Sequence, residues 1–234
     1  HFGVAPVRDT FFTEMLSADR VLAMFSPHFR APAPDDPPRM RVCGFPWFEG
    51  HGGHGALAHG LTPETEGFLD AGDPPIVFSL GSVLSHTQRG VFHAALEAAR
   101  LVGRRSVLVT GHDHDGSLDL RSDALRIDYA PYSLLMARAA ANVHHGGIGT
   151  TAQALRAGRP MIVLPHAHDQ FDNAARVEAH GVGVGLHPGR RLSPPKPAGA
   201  LPRVLRHPAV GDASAALGER PAGEDRPEGP AGDE

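Results

Sequence analysis

Residues 143–151 (VHHGGIGTT) combine two adjacent histidines with three glycines and two threonines. The glycines would let the backbone approach an anion closely. Thr150 followed by Gln153 matches a capping box, which predicts that a helix starts near Thr150. The first backbone N–H groups of such a helix and its dipole form an anion site. The segment is therefore a candidate diphosphate cradle, in which His145 donates a ring N–H to a phosphate oxygen.

Other patterns fit this segment less well. A Walker A loop needs Gly-Lys-Ser/Thr, and the segment contains no lysine. Residues 147–152 (GIGTTA) match the dinucleotide pattern G-x-G-x-x-A, and Asp169 follows about twenty residues later, as that pattern requires. However, the strand before this acid ends near Pro165, several residues too early. An NAD(P)-dependent oxidoreductase stays an alternative, and the glycines taken alone are typical of a plain strand-to-helix turn.

Strands and helices alternate around the segment, which implies parallel βαβ units and an α/β fold. Ligands of such sheets bind outside the carboxyl ends of the strands. The loops after Leu80, Thr110, Tyr129, Val143 and Leu164 are therefore candidate binding loops. Strands are predicted at 74–80, 106–111, 125–131, 141–143, 160–165 and 182–186, and helices at 87–103, 132–140, 150–158 and 169–181.

The two ends of the chain are less regular. A helix is predicted at 8–25, a Pro-rich segment follows, and a short strand is predicted at 42–48. Thr62 before Pro63 marks a further helix start. The Pro- and acid-rich tail at 191–234 predicts a short helix around 212–219 and a disordered end. The expected division is therefore 1–70, an α/β domain at 73–190, and a tail at 191–234.

Composition excludes several classes of protein. The chain has 234 residues and a net charge of −4, which argues against a nucleic-acid or membrane-surface binder. Cys43 is the single cysteine, so no internal disulfide forms, and a small buried apolar residue is expected there. A membrane span needs about 18 apolar residues in a row, and the sequence has none. The expected location is the cytoplasm. The missing initiating Met suggests a fragment or a processed chain.

Residues 142–186 resemble the donor-binding domain of the GT-B glycosyltransferases. The resemblance is to the family of UDP-glycosyltransferases, in particular its bacterial antibiotic and sterol branch. Its hallmark is His-x-Gly-x-x-(Ser/Thr), a helix, a strand ending in Pro, and then (Asp/Glu)-Gln. These positions are His145, Gly147, Thr150, Pro165 and Asp169-Gln170. FSLGS at 78–82 resembles the first donor-domain strand and its turn, and DYAPYSLL at 128–135 resembles the base-binding segment.

The resemblance implies a role for each matching position. Tyr129 is where the family stacks an aromatic ring on the nucleotide base. Asp169 and Gln170 are where it binds the sugar hydroxyls. The diphosphate-binding positions are Ser82, His145, Gly147, Gly149, Thr150 and Thr151.

The resemblance also implies a reaction and its partners. The expected activity is inverting transfer of a hexose from a UDP- or dTDP-sugar to a hydroxyl of a small hydrophobic acceptor, without metal or cofactor. The family's catalytic base comes from the start of its N-terminal domain, and we expect no counterpart of that segment in this sequence. Residues 1–70 resemble the end of that acceptor-side domain and its linker. No residue is therefore assigned as the base, and a non-catalytic nucleotide-sugar-binding fragment stays an alternative. The sequence assigns no oligomeric state.

Other polar clusters have simpler interpretations. Asp113-His114-Asp115 matches the D-x-D metal motif, but this motif is so short that it often occurs by chance, and a solvated loop is the better interpretation. The histidines of residues 51–59 lack the spacing of a metal site, so no metal is expected. His166 and His168 would line the sugar site. His144 would pack behind the loop or cap a carbonyl.

Overall fold

The computed structural model describes residues 20–46, 60–81, 89–111, 118–186 and 197–222. Several features predicted from the sequence lie wholly or partly outside these ranges. They include the helix start at residue 8, the end of the strand at 42–48, the histidine-rich loop 51–59, Ser82, the start of the helix at 87–103, the D-x-D motif at 113–115, residues 191–196 of the tail and the chain end after 222. The chain divides into two compact units, His1–Pro46 and Trp47–Glu234.

The first unit contains two short parallel strands, β1 (Val21–Ala23) and β2 (Met40–Val42). The prediction of a helix through residue 25 is therefore wrong at 21–23. The backbone N–H of Val21 donates to Arg39, and Ala23 accepts from Cys43, so pairing between distant residues replaces local helical bonds. The second strand ends at Val42, where the sequence pattern had placed its beginning.

Cys43 is exposed, contrary to the expectation of a buried apolar residue. It follows directly after β2, and its thiol donates to the carbonyl of Arg41 at 3.4 Å. The interior of this unit is formed instead by Phe29 and Phe45, which are 3% and 6% exposed with ring centroids 6.0 Å apart. The two large aromatic rings bury more apolar area than a thiol does, and they occupy the available core.

The second unit is built on a parallel sheet of six strands, in the order β5-β4-β3-β6-β7-β8. The α/β prediction is confirmed. β3 and β4 are buried along their whole length, as expected of strands covered on both faces. The strands are β3 (Ile76–Ser79), β4 (Ser106–Val109), β5 (Ala124–Ile127), β6 (Ala141–His144), β7 (Met161–Val163) and β8 (Gly183–Gly185).

Helices cover both faces of this sheet, and alternate side chains of β3 contact each of them. Phe78 belongs to one apolar cluster together with Phe92, and Val77 belongs to the other together with Leu69 and Leu135. The helices are α1 (Pro63–Asp70), α2 (Arg89–Leu101), α3 (Tyr132–Ala137), α4 (Ile148–Arg156) and α5 (Gln170–Ala179). The cap predicted for α1 is confirmed, because Thr62 Oγ1 accepts from the N–H of Thr65 at 3.2 Å.

The segment after residue 197 contains more regular structure than its composition predicts. A 3₁₀ turn (Pro197–Gly199) leads into α6 (Leu201–Leu205) and α7 (Pro208–Ala222). Leu201 and Val204 join the same apolar cluster as β3, so this segment completes the core. Among the described residues, no helix has the length and apolar character needed to cross a membrane.

Close contact between α7 and α4 makes Gly218 a sensitive position. A Cβ at Gly218 would overlap the carbonyl oxygen of Leu155 and lie 3.0 Å from the Cα of Gly158, whereas a Cβ at Gly211 of the same helix meets nothing within 4 Å. We expect Gly218→Ala to lower the free energy of unfolding by about 1–3 kcal/mol through overpacking. Gly211→Ala should leave it unchanged or raise it by up to about 1 kcal/mol. Urea unfolding measures both, and equal effects would contradict this packing.

Candidate functional site

The candidate site lies where the chain reverses its direction through the sheet. From β3 the strands run outward through β4 to β5, and from β6 they run the other way through β7 to β8. β3 and β6 are neighbours, with Ser79 opposite His144. The loops that follow these two residues therefore leave the sheet side by side, at the crevice where open α/β sheets bind ligands.

His145 occupies this crevice between two glycines. A Cβ at Gly81 would lie 2.6 Å from Cε1 of His145, and a Cβ at Gly147 would lie 2.5 Å from its Nε2. Both positions must therefore lack a side chain for the ring to fit. Gly81 also has a φ of +71°, a conformation that glycine adopts without strain. The loops after β3 and β6 thus hold the imidazole from both sides.

Helix α4 starts two residues earlier than the capping-box pattern predicts. Gly147 is the N-cap and Ile148 the first helical residue, so Thr150 is not the cap. Thr151 explains the difference, because its N–H and its hydroxyl both donate to the carbonyl of Gly147, at 2.9 and 3.0 Å. Closing the first turn from inside the helix fixes its start at Gly147.

This helix start changes which donors are available to a ligand. Thr151 is fully buried, and both of its donors are used within the helix. Its predicted place among the phosphate contacts is therefore not supported by its position. The backbone N–H groups of Ile148, Gly149 and Thr150 form the first turn, which no side chain caps. Gly149 faces open space. These amides and the helix dipole create a positive potential beside the His145 ring.

His144 stabilises the loop after β6 and does not face a ligand. Its side chain is completely buried, and its Nδ1 accepts the N–H of Gly146 at 3.1 Å. It therefore packs behind the loop as expected, but it binds an amide and not a carbonyl. Burial, together with the smaller effect of the neighbouring His145, lowers its pKa to about 3. The ring is thus neutral at physiological pH, with its proton on Nε2.

His145 is also held in its neutral form, though less strongly. Burial lowers its pKa, and so does the nearby His166, whereas Asp169 and the Ser79 backbone act in the opposite direction. Burial lowers the pKa of His166 as well. The Nδ1 atoms of His145 and His166 are buried without a hydrogen-bond partner among the described residues. The site thus contains two neutral imidazoles with unused polar atoms.

A cavity of about 230 Å³ lies at the carboxyl ends of β3, β4 and β5. Tyr129 is 40% exposed and lines this cavity together with Gly81, Thr110 and Asp128. Its ring is therefore accessible for stacking, as the resemblance implies. Because Gly81 also contacts His145, the cavity adjoins the helix α4 crevice.

Tyr132 closes the cavity behind Tyr129. Its hydroxyl and that of Ser79 share a hydrogen bond, so β3 and α3 are joined in the wall of this cavity. Burial raises the pKa of Tyr132, and the bond to Ser79 partly offsets this. The phenol therefore stays protonated and structural at neutral pH.

A larger depression of about 290 Å³ lies against α2, and it is a poorer candidate. Leu101, which ends α2, and Asp119, which precedes β5, place it toward the amino ends of the strands. Its arginine is already paired, since Arg100 binds both Asp119 and Asp123. The sheet geometry does not point to a ligand there.

The predicted sugar-binding residues begin helix α5, directly after a strained residue. His168 has a φ of 54° and is the only non-glycine residue in the described ranges with a positive φ. Such strain costs on the order of 1 kcal/mol and is typical of functional loops. It orients Asp169, which is exposed. Oε1 of Gln170 accepts the N–H groups of His166 and Ala167, at 2.8 and 3.1 Å. Gln170 therefore holds the loop and has its NH₂ group left for a ligand.

Comparison with known proteins identifies the fold and the family. The domain family described as erythromycin biosynthesis protein CIII-like, C-terminal domain, matches residues 97–232. The chain belongs to this family. O-mycaminosyltylonolide 6-deoxyallosyltransferase of Streptomyces fradiae is 38% identical over 201 residues, which cover 86% of this chain and 45% of that protein. A sterol 3-beta-glucosyltransferase of Arabidopsis thaliana is 33% identical over 163 residues, which cover 68% and 24%.

A solved structure shares the fold of this chain. Spinosyn rhamnosyltransferase complexed with thymidine diphosphate matches with a TM-score of 0.67 and 23% identity, over 88% of this chain and 53% of that one. The fold of the second unit is that of the GT-B glycosyltransferases, and the resemblance stated from the sequence is confirmed. The chain spans less than half the length of both curated relatives.

Sequence reasoning missed two groups that shape this site. Asn173 is buried and joins Asp169 to the Gly146 loop, at 2.8 Å from each acceptor. Its i, i+4 spacing from Asp169 was a usable signal, because such pairs meet on one face of a helix. The bond between Ser79 and Tyr132 had no such signal, since 53 residues separate the partners.

The buried neutral His144 predicts a specific pH dependence of stability. Its pKa is about 3 in the folded chain and about 6.5 when unfolded, so the unfolded state binds the extra proton between these values. Its contribution to stability is complete above pH 6.5 and decreases toward pH 3, by up to about 1.4 kcal/mol per pH unit. His144→Asn retains an acceptor for Gly146 but does not titrate. We expect its free energy of unfolding to fall less than the parent's between pH 7 and pH 4.

The exposed His207 supplies the control for this experiment. His207→Asn should leave the pH dependence of unfolding as it is in the parent. Parallel curves for the parent and His144→Asn would contradict the assignment of His144 as a buried neutral residue.

Proposed function

We propose that this chain is the donor-binding part of a glycosyltransferase. The enzyme transfers a hexose from UDP- or dTDP-sugar to a hydroxyl of a small hydrophobic acceptor, with inversion and without metal or cofactor. The observation that carries the proposal is the position of the uncapped first turn of α4 beside His145, at the switch point of the sheet. The family membership and the names of the relatives support the same activity. The location that goes with it is the cytoplasm.

The diphosphate is assigned to the α4 crevice. In this proposal the N–H groups of Ile148, Gly149 and Thr150 donate to its oxygens, and His145 donates from its ring. Gly147 leaves room for the imidazole, since a Cβ there would strike it. Ser82, which lies outside the described residues, keeps its proposed contact by resemblance alone. Neutral donors suit this role because they bind an anion through hydrogen bonds and place no fixed positive charge in the crevice.

The base and the sugar are assigned to the two sides of the diphosphate. The base enters the cavity at the ends of β3 to β5 and stacks on Tyr129. The thymidine diphosphate bound in the spinosyn rhamnosyltransferase structure supports a pyrimidine nucleotide. On the other side, Asp169 accepts hydrogen bonds from sugar hydroxyls, and the NH₂ group of Gln170 donates to them.

The proposed reaction is a displacement at the anomeric carbon. An acceptor hydroxyl attacks that carbon and loses its proton to a general base, while the bond to the nucleoside diphosphate breaks. Negative charge grows on the leaving diphosphate, and the preorganised α4 amides and His145 stabilise it. Loss of one such donor costs about 3 kcal/mol of barrier in comparable oxyanion sites. We assign no base among the residues of this chain.

The dinucleotide alternative is disfavoured by topology. A dinucleotide fingerprint belongs to the loop after the first strand of such a sheet, here β3. The G-x-G-x-x-A match follows β6, which is the fourth strand of this sheet in chain order. The glycine-rich loop therefore lies in the other half of the sheet from the loop that binds the phosphates of a nicotinamide dinucleotide.

Titration tests the proposal. We expect the chain to bind UDP or dTDP, and to bind NAD⁺ more weakly or not at all. His145→Ala should weaken nucleoside diphosphate binding by about tenfold or more, the effect expected when a hydrogen bond to a charged group is lost. Calorimetry gives the Kd values, and circular dichroism confirms that the variant stays folded.

The exposed His207 again supplies a matched histidine, because His207→Ala should leave these Kd values unchanged. Equal Kd values for His145→Ala and the parent would exclude His145 from the cradle. Tight binding of NAD⁺ without nucleoside diphosphate binding would overturn the proposed function. Sugar transfer by this chain alone would eliminate the non-catalytic alternative.

Substitution of Asp169 tests sugar recognition independently of diphosphate binding. We expect Asp169→Ala to retain the parent's Kd for UDP and dTDP, because the carboxylate contacts neither the base nor the phosphates in this proposal. The same variant should lose discrimination between UDP-glucose and UDP-galactose and between the corresponding dTDP-sugars. Competition calorimetry measures these preferences. Unchanged discrimination would remove Asp169 from the sugar site.

A further inference from the structure

The peptide group of Gly146 is held at both ends. Its N–H donates to Nδ1 of His144 at 3.1 Å, and its carbonyl accepts from Nδ2 of Asn173 at 2.8 Å. Its φ of +89° suits glycine, and a Cβ there would lie 2.5 Å from Cγ1 of Val163. Gly146 directly precedes the N-cap of α4 and follows His145. Whatever fixes this peptide therefore also fixes the imidazole and the first amides of the helix.

Asn173 binds a second partner from the same side chain. Its Nδ2 also donates to Oδ2 of Asp169 at 2.8 Å. An amide NH₂ carries two hydrogens, so both bonds form at once. The residue is 4% exposed, and its backbone N–H donates to the carbonyl of Asp169 at 2.9 Å. One buried side chain thus joins the loop after β6 to the residue that caps α5.

We propose that Asn173 is a positioning residue that couples the diphosphate cradle to the sugar-binding carboxylate. This inference rests on the proposed function. Asp169 is exposed, so its carboxylate would rotate freely without a partner. The bond from Asn173 fixes Oδ2, and Oδ1 is then available to accept from a sugar hydroxyl. The same amide keeps the Gly146 carbonyl in place, so the distance between cradle and carboxylate is set by one rigid group.

A double-mutant cycle tests the coupling. The readout is the ratio of the Kd for UDP to the Kd for UDP-glucose, and likewise for dTDP and dTDP-glucose, which isolates the contribution of the sugar. Asn173→Ala should lower this ratio by about tenfold, as should Asp169→Ala. The double variant should lower it no further than Asp169→Ala does, because Asn173 acts on the sugar through Asp169. Additive losses would overturn the proposal.

Asn142 provides the matched control for a merely structural role. It is a fully buried asparagine of β6, whose Nδ2 donates to the carbonyl of Met136 at 3.4 Å. Asn142→Ala should lower the unfolding midpoint and leave the ratio at the parent's value. Asn173→Ser is the second variant, in case Asn173→Ala does not fold. It offers one donor to two acceptors and should also lower the ratio.

The outcomes distinguish this inference from the function on which it rests. A parent chain that binds none of the nucleotides or nucleotide sugars would overturn the proposed function. A parent that prefers UDP-glucose or dTDP-glucose, beside a folded Asn173→Ala or Asn173→Ser variant with the same preference, would overturn only the positioning role. A reduced ratio in these variants and an unchanged ratio in Asn142→Ala support it.

Discussion

The parallel pairing of β3 with β6 sets the geometry of the candidate site, because Ser79 lies opposite His144 in that register. The residues that follow them, Gly81 and His145, then meet across the crevice. A slip of one residue would exchange the two faces of a strand. Both faces of β3 are covered by apolar clusters, so such a slip would be costly. The burial of the sheet thereby fixes the position of a polar ring at its edge.

The two adjacent histidines have different tasks because they occupy different depths. His144 is fully buried, and its Nδ1 accepts a hydrogen bond from the Gly146 N–H. The fold therefore requires this ring to be neutral. His145 is only partly buried and lies beside the uncapped turn of α4. His145 disfavours protonation of His144, and His166 disfavours protonation of His145. Loop stability and ligand binding are therefore linked through the same electrostatic environment.

The sequence predicted local features well and non-local ones poorly. Strand and helix alternation, the Thr62 cap and the glycine-rich loop follow from periodicity and turn chemistry, which act over a few residues. The start of α4 was misplaced because the Thr150 pattern competes with the bonds of Thr151 to Gly147. Val21 was assigned to a helix because its strand partner Met40 lies 19 residues away. The contact of His145 with Gly81 depends on sheet order, which spacing along the chain does not contain.

The donors around the proposed diphosphate suit a leaving group better than a tightly held ligand. Amides of Ile148 and Gly149 and a neutral His145 attract an anion in proportion to its charge, without the strong ground-state attraction of a fixed cation. As charge moves onto the diphosphate in the transition state, each of these interactions strengthens, and only such differential binding accelerates the chemical step. The lowered pKa of His145 is consistent with this role, because the neutral ring can donate a hydrogen bond to the diphosphate without adding a fixed positive charge. Keeping the ring neutral between the glycines therefore limits its attraction for the bound anion and favours release of the nucleotide.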